Sequence, residues 1–186
     1  MALSPPRSVD DLVKLAAAGQ RPKYLFFWGH QAAPDGSVTK SCFSQWWPAP
    51  FTLEGHTYGT AEHYMMAGKA RLFGDAEMEE KILKASHPKQ AKMLGRKAKG
   101  FDETAWVAKR FELVVAGNEG KFAQHEDLKA FLLGTGQRVL VEASPVDKIW
   151  GIGMKGDDER AEKPQEWRGL NLLGFALMEV RERLRG

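Results

Sequence analysis

The segment Thr60-Ala61-Glu62-His63-Tyr64-Met65-Met66-Ala67-Gly68-Lys69 sets a carboxylate and an ammonium seven positions apart. On a helix, Glu62, Met66, Lys69 and Phe73 share one stripe, while Ala61, Tyr64, Met65, Gly68 and Leu72 line an apolar face. The helical rise separates Glu62 from Lys69 by about 10 Å. That span suits a substrate with its reacting carbon beside one charge and an anionic group beside the other. A glutamate in a first turn also simply favours the positive end of the helix dipole. From the residues alone, both roles stay open.

Further clusters carry groups of the same kind. Ser144-Pro145-Val146-Asp147-Lys148-Ile149-Trp150-Gly151-Ile152-Gly153 combines a carboxylate, a tryptophan three residues later, and two glycines that let a ligand approach the backbone. It reads equally as a tight turn with Trp150 filling the core. In Trp167-Arg168-Gly169-Leu170-Asn171-Leu172-Leu173-Gly174 a loop enters a helix, where free N–H groups attract anions and Arg168 could grip phosphate. An ordinary Asn171 cap is the plainer reading there. Phe43-Ser44-Gln45-Trp46-Trp47-Pro48 is an aromatic loop able to cover a base, with Trp46 as a binding candidate. Trp106 is either core or a stacking platform, and Tyr64, on the helix of Glu62, joins the binding candidates. The basic stretch 89–99 is explained by a solvated helix face.

These groups need elements to hold them. Residues 9–18 form a short amphipathic stretch, so residues 1–22 are expected to be a lead-in to a single domain, 23–186. Tyr24-Leu25-Phe26-Phe27-Trp28 predicts a buried strand. Phe51-Thr52-Leu53 and Thr57-Tyr58 flank Glu54-Gly55 as a short hairpin. Caps and stops predict helices over 60–73, 75–84, 88–100, 102–118 and 126–133. A short strand is expected over 138–143, a glycine- and charge-rich loop over 144–168, and a last helix capped by Asn171, with Leu173, Leu177, Val180 and Leu184 as its apolar stripe. The expected fold is α+β and predominantly helical, with about six helices packed around a few short strands.

Composition narrows the function classes. Of the 186 residues 43% are hydrophobic, enough for a substantial core. The 27 basic and 24 acidic residues leave a net charge of +3, too mild for the basic stripe of a duplex-binding protein. Sequence-specific nucleic acid is therefore not expected as a partner. Cys42 is the only cysteine, so no internal disulfide forms and a reducing compartment is expected. His30, His56, His63, His87 and His125 show neither HxxxH nor HExxH spacing, so neither a metal nor another cofactor is expected. No apolar run of signal-peptide or membrane-spanning length occurs, and a soluble cytoplasmic protein without membrane partners is expected.

Taken together the motifs resemble those of the NADAR family of YbiA-like N-glycosidases, over residues 26–184. Phe43-Ser44-Gln45-Trp46 is similar to that family's Phe-Ser-Asn-Phe loop. Leu53-Glu54-Gly55-His56-Thr57-Tyr58 followed by Thr60-Ala61-Glu62-His63-Tyr64 resembles its hallmark strand and helix. His87-Pro88, Trp106, Lys121-Phe122 with His125, Asp147 with Trp150-Gly151-Ile152-Gly153, and Asn171-Leu172-Leu173-Gly174 follow in the family's order. The resemblance implies a YbiA-like fold and hydrolysis of N-ribosidic bonds. Its substrate would be a ribosylamino-pyrimidine intermediate of riboflavin synthesis or an ADP-ribosylated guanine.

By position, the resemblance implies catalytic roles for Glu62, Trp106, Asp147 and Trp150. Lys69, Gly151, Gly153, Arg168, Asn171, Trp46 and Tyr64 are the expected substrate contacts. Gln45, Ala61 and Met65-Met66 stand where the family has Asn, Ser and Phe-Gln; the last two alter the wall beside Glu62 and with it the base expected to be accepted. The stretch between Gly156 and Arg168 is long, so the substrate entrance is expected to differ. A non-catalytic sensor of NAD or ADP-ribose would use the same residues and is the competing expectation.

Overall fold

The computed structural model describes residues 5–186, so the first four residues of the expected lead-in lie outside the described residues. The chain divides into two compact units. Unit 1 joins the described residues up to Ser44 with Asp127–Gly186, and unit 2 is the continuous segment Gln45–Glu126. Among the described residues there are seven α-helices and four short strands, a predominantly helical α+β fold. No helix among them is long and apolar enough to cross a membrane.

Unit 2 is built around one helix. Strands β2 (Phe51–Leu53) and β3 (His56–Tyr58) pair antiparallel, with Phe51 opposite Tyr58 and Leu53 opposite His56. Glu54 and Gly55 both take positive φ, 53° and 81°, which is the two-residue turn that matches the twist of a hairpin. Helix α2 (Ala61–Leu72) follows, capped by Thr60, and packs on α3 (Ala76–Leu83), α4 (Pro88–Gly95), α5 (Glu103–Ala123) and β3. Residues 61–68 of α2 are buried without interruption, because a helix covered on all sides has no solvent stripe. Arg71 ties the hairpin to the helices through Glu54 (2.8 Å), Glu79 (2.6 Å) and the Tyr58 hydroxyl (3.1 Å).

Two helix ends differ from expectation. Helix α4 stops at Gly95 rather than near Gly100. Asp75, having capped α3 through Met78 N–H, uses its other oxygen to take Lys99 N–H at 2.8 Å, which draws 96–102 out of the helix. Helix α5 runs to Ala123 rather than Asn118, because Gly117 and Gly120 sit where neighbours approach closely and do not break it. A Cβ on Gly117 would lie 2.6 Å from the Tyr64 ring.

In unit 1, α1 (Val9–Ala17) is capped by Ser8 and buries Leu12, so the lead-in is a packed element. Strand β1 (Tyr24–Phe27) pairs in parallel with β4 (Val139–Glu142), with Tyr24 opposite Val139 and Phe27 opposite Glu142. The expected strand is one residue too long: Gly29 turns the chain at φ 85° and Trp28 is 56% exposed. Phe43 meets Phe27 edge-on at 5.4 Å between ring centroids and Phe131 at a tilt at 5.5 Å. Helix α6 (Glu126–Gly134) precedes β4, and α7 (Leu172–Arg185) lies along it.

Candidate active site

The first turn of α2 is fixed by side chains on both flanks. Thr60 Oγ1 accepts from His63 N–H at 3.3 Å and pairs with His63 Nδ1 at 2.8 Å, while His63 Nε2 meets the Ala85 carbonyl at 3.0 Å. A carbonyl only accepts, so Nε2 carries the proton and Nδ1 accepts from the Thr60 hydroxyl. His63 is thus a neutral strut. Burial, together with the charge of His87, holds its pKa below the ordinary value, against the opposing pull of the Ala85 carbonyl. Between these anchors sits Glu62, 3% exposed, its own N–H donating to the Gln45 carbonyl at 2.9 Å. A carboxylate buried at a helix start is favoured by the dipole and costly to desolvate, the balance that a reactive pocket acid needs.

Two turns on, Lys69 reaches aromatic partners. Its Nζ lies 4.5 Å from the Phe101 ring centroid and 5.5 Å from that of Trp106. Burial lowers its pKa, and the nearby Arg96 adds a like-charge push in the same direction. A half-buried ammonium over two rings, crowded by a second cation, gains from an incoming anion. Trp106 is half-buried at the start of α5, so Lys69 and Trp106 are brought together as a charged and stacking surface.

The other candidates of unit 2 are placed differently. Trp46 is half-buried, edge-on to His87 at 6.3 Å, with Lys92 Nζ 5.9 Å over its ring. Part of the basic stretch 89–99 thus faces these aromatics, not solvent alone. Tyr64 lies in the core, against Tyr58 (5.0 Å) and Phe51 (6.1 Å), and burial raises its pKa. In this geometry its ring packs the wall behind α2.

Sequence reasoning passed over Phe101, Arg96 and Asn118. Phe101 precedes the Asp102 cap and Trp106 is the fourth helical residue, the spacing of a hydrophobic staple, which was the available signal. Asn118 lies four residues after Val114 and four before Phe122, inside a fully buried stripe. Its Nδ2 donates to Val114 O (2.9 Å) and to Gln45 Oε1 (2.7 Å), so a buried amide pair backs the loop whose carbonyl holds Glu62.

In unit 1 the 144–171 segment is one hydrogen-bonded loop. Asp147 Oδ1 accepts from Ile149 N–H and Trp150 N–H, both at 2.8 Å, and Ser144 Oγ accepts from Asp147 N–H at 3.1 Å. Asp147 and Trp150 are half-buried, and Gly151 and Gly153 are buried. Arg168 donates its N–H to Ile152 O at 3.0 Å and leaves its side chain exposed, within electrostatic range of Asp158. A Cβ on Gly169 would lie 2.8 Å from Lys148 Cα, so only glycine lets these strands of the loop cross.

Asn171 is not an ordinary cap: it adopts φ 52°, ψ 34° and makes no side-chain cap bond. Fully buried, its amide instead receives Glu142 N–H (3.0 Å) and donates to Leu140 O (3.0 Å). The structure therefore spends this side chain on β4. The long stretch before Arg168 folds onto α1, with Trp167 Nε1 donating to Ala161 O at 2.8 Å and its ring edge-on to Tyr24.

Among the described residues no three His, Cys, Asp or Glu side chains gather as metal ligands. A NADAR domain family model matches residues 26–185. The chain is similar to an N-glycosidase of Acanthamoeba polyphaga mimivirus, 44% identical over 165 residues that cover 86% of this chain and 95% of that protein. It is also similar to N-glycosidase YbiA of Escherichia coli strain K12, 34% identical over 144 residues, 77% of this chain and 79% of that protein. The NMR structure of the E. coli protein YbiA superposes with a TM-score of 0.69 at 30% identity, covering 89% of this chain and 87% of that one.

Proposed function

Because the chain belongs to the NADAR family and the relatives named above include N-glycosidases, we propose that the N-glycosyl bond it hydrolyses lies in a phosphorylated, ribosylated base. The observation that supports this reading is the ammonium of Lys69 held over Trp106 and Phe101, two helical turns from the buried carboxylate of Glu62. Phosphate suits the first group and a base or sugar face suits the rings.

Cleavage of an N-riboside develops positive charge on the ribose before water completes its attack. Water adds to the anomeric carbon and loses a proton, while the bond to the base breaks and the base nitrogen takes up the electron pair and a proton. Glu62 performs one of two tasks, accepting the proton of water or facing the developing cation. In the same reading Asp147 positions water or a sugar hydroxyl, Trp150 flanks the ring, and Arg168 assists at phosphate. Binding energy gained at phosphate is then available at the reacting carbon.

Single-turnover hydrolysis of a ribosylamino-pyrimidine phosphate and of ADP-ribosylated guanine tests the reading. Glu62→Gln is expected to bind the cleaved substrate but to lose about a hundredfold or more in rate. Near-wild-type rates in that variant overturn the role of Glu62. Lys69→Gln is expected to raise KM about tenfold for the phosphorylated substrate with little change for its dephosphorylated form. An equal effect on both removes Lys69 from the phosphate. ADP-ribose binding without turnover of any ribosylated base assigns a sensor instead.

A further inference from the structure

Unit 1 carries a second concentration of positive charge. A cavity of about 1050 Å³ opens beside the C-terminal part of α1, the residues entering β1, the turn between α6 and β4, and the last turns of α7. Arg21, Lys23, Arg138, Arg181 and Arg185 line it, with Glu182 as the one acidic lining residue among those described. It lies where the parallel strands begin, since Val139 N–H donates to Lys23 O at 2.8 Å there. The 144–171 loop follows the opposite end of β4, so the cavity is distinct from that loop.

Three of these charges, on Arg138, Arg181 and Arg185, are held in place, and the group is undercompensated. Arg181 is 2% exposed, and its Nη1 donates to Thr135 Oγ1 and Arg138 O, both at 2.8 Å. Its Nε lies 3.7 Å from Glu182, too far for a hydrogen bond, and Glu182 is already held by Arg185 at 2.6 Å. Arg138 Nε and Nη2 donate to the carbonyls of Thr135 and Gly134, and Arg185 Nη2 to that of Gly136, so neutral carbonyls hold Arg138 and help Glu182 to hold Arg185. Burial, then the charge of Arg185, pulls the pKa of Arg181 down to about 10. One carboxylate thus serves a cavity with five cations, an arrangement that an anion relieves.

We propose that this cavity binds a small molecule bearing two or more phosphates. Its cations surround one concavity rather than forming the stripe that a nucleic acid requires, and its volume is that of small-ligand sites. Leu15, Pro22 and Met178 add apolar wall, which suits an organic body attached to the phosphates.

Calorimetric titration of the full chain with inorganic tripolyphosphate at low salt tests this. Saturable binding is expected, weakened about tenfold or more by Arg21→Glu together with Lys23→Glu, two exposed positions whose reversal leaves the packing intact. Arg185→Gln is expected to weaken it as well. Lys69→Gln with Arg168→Ala, which strips the phosphate groups of the proposed active site, is expected to leave it within about twofold. That outcome also separates this site from the proposed function. Absent binding, equal binding by the reversed variant, or loss in the Lys69→Gln, Arg168→Ala variant overturns the proposal. Tighter binding per phosphate to a single-stranded oligonucleotide overturns it in favour of a polymer surface.

Discussion

His63 holds the turn that presents Glu62, and burial favours its neutral ring. Protonation at Nδ1 would reverse the hydrogen bond, with the Thr60 hydroxyl now accepting, and would place a positive charge in a desolvated site. The folded protein resists that proton, since burial lowers the His63 pKa below 6.5. The unfolded chain takes it up near 6.5, so the stability contributed is complete above that pH and is lost as pH falls through the folded value. The midpoint of thermal unfolding should therefore fall as pH is lowered from about 7.5 to about 5, and His63→Gln should flatten that slope. A wild-type midpoint that does not move in this window excludes the strut. Carboxylates held low, such as Asp75 and Asp158, act at more acidic pH and leave the window clear. The stripe of Glu62 and Lys69 was legible because helical spacing alone puts them on one side of α2. The apolar face that holds Tyr64 was legible too, but not that its ring packs the core, since a buried aromatic residue suits a core and a binding wall alike.

Among the described residues each sheet has two strands, and in each unit a side-chain amide bonds the strand as a further strand would. Gln124 accepts from Thr52 N–H (2.9 Å) and donates to Thr52 O (2.8 Å) on β2. Asn171 does the same for β4, bridging Glu142 N–H and Leu140 O. Such contacts are invisible to periodicity: Asn before an apolar helix reads as a cap, and only the fold shows its amide turned onto a strand. The same limit applies beyond the end of α4, where the chain is drawn away by a carboxylate 24 residues before Lys99 and not by any local stop. The hairpin was fully legible because Glu54-Gly55 encodes its turn locally. If the Asn171 amide stabilises unit 1, Asn171→Gly, which keeps the left-handed backbone available, should cost about 2–4 kcal/mol by leaving two buried backbone groups unpaired. Asn171→Ala should cost more, by the added strain at φ 52°. Urea unfolding of the two variants decides the matter, and a wild-type midpoint for Asn171→Gly removes the amide from the account.

Across the whole chain, a near-balanced net charge of +3 hides local segregation: Arg96 crowds Lys69 in unit 2, and a group of arginines surrounds one cavity in unit 1. Composition therefore argues against a duplex-binding stripe without revealing either of the proposed anion sites. The two units also differ in what their folding demands. Unit 2 is continuous, and the elements on which α2 packs most extensively, α3, α4, α5 and β3, lie within it. Unit 1 is assembled from both ends of the chain, and its parallel pair joins Tyr24 to Val139, 115 residues apart. Closing that span costs entropy before any ladder bond repays it, whereas α2 and its neighbours meet through short connections. Amides of α2 and α5 should accordingly gain protection from hydrogen exchange before those of β1 and β4 in a pulse-labelled refolding experiment. Val141→Ala, which removes two buried methyl groups from β4, should accelerate loss of β1 and β4 protection and leave the early protection of α2 unchanged. Simultaneous protection of all four elements would show instead that the β1–β4 pairing belongs to the folding nucleus, so that the ends of the chain meet as early as the helices that carry Glu62.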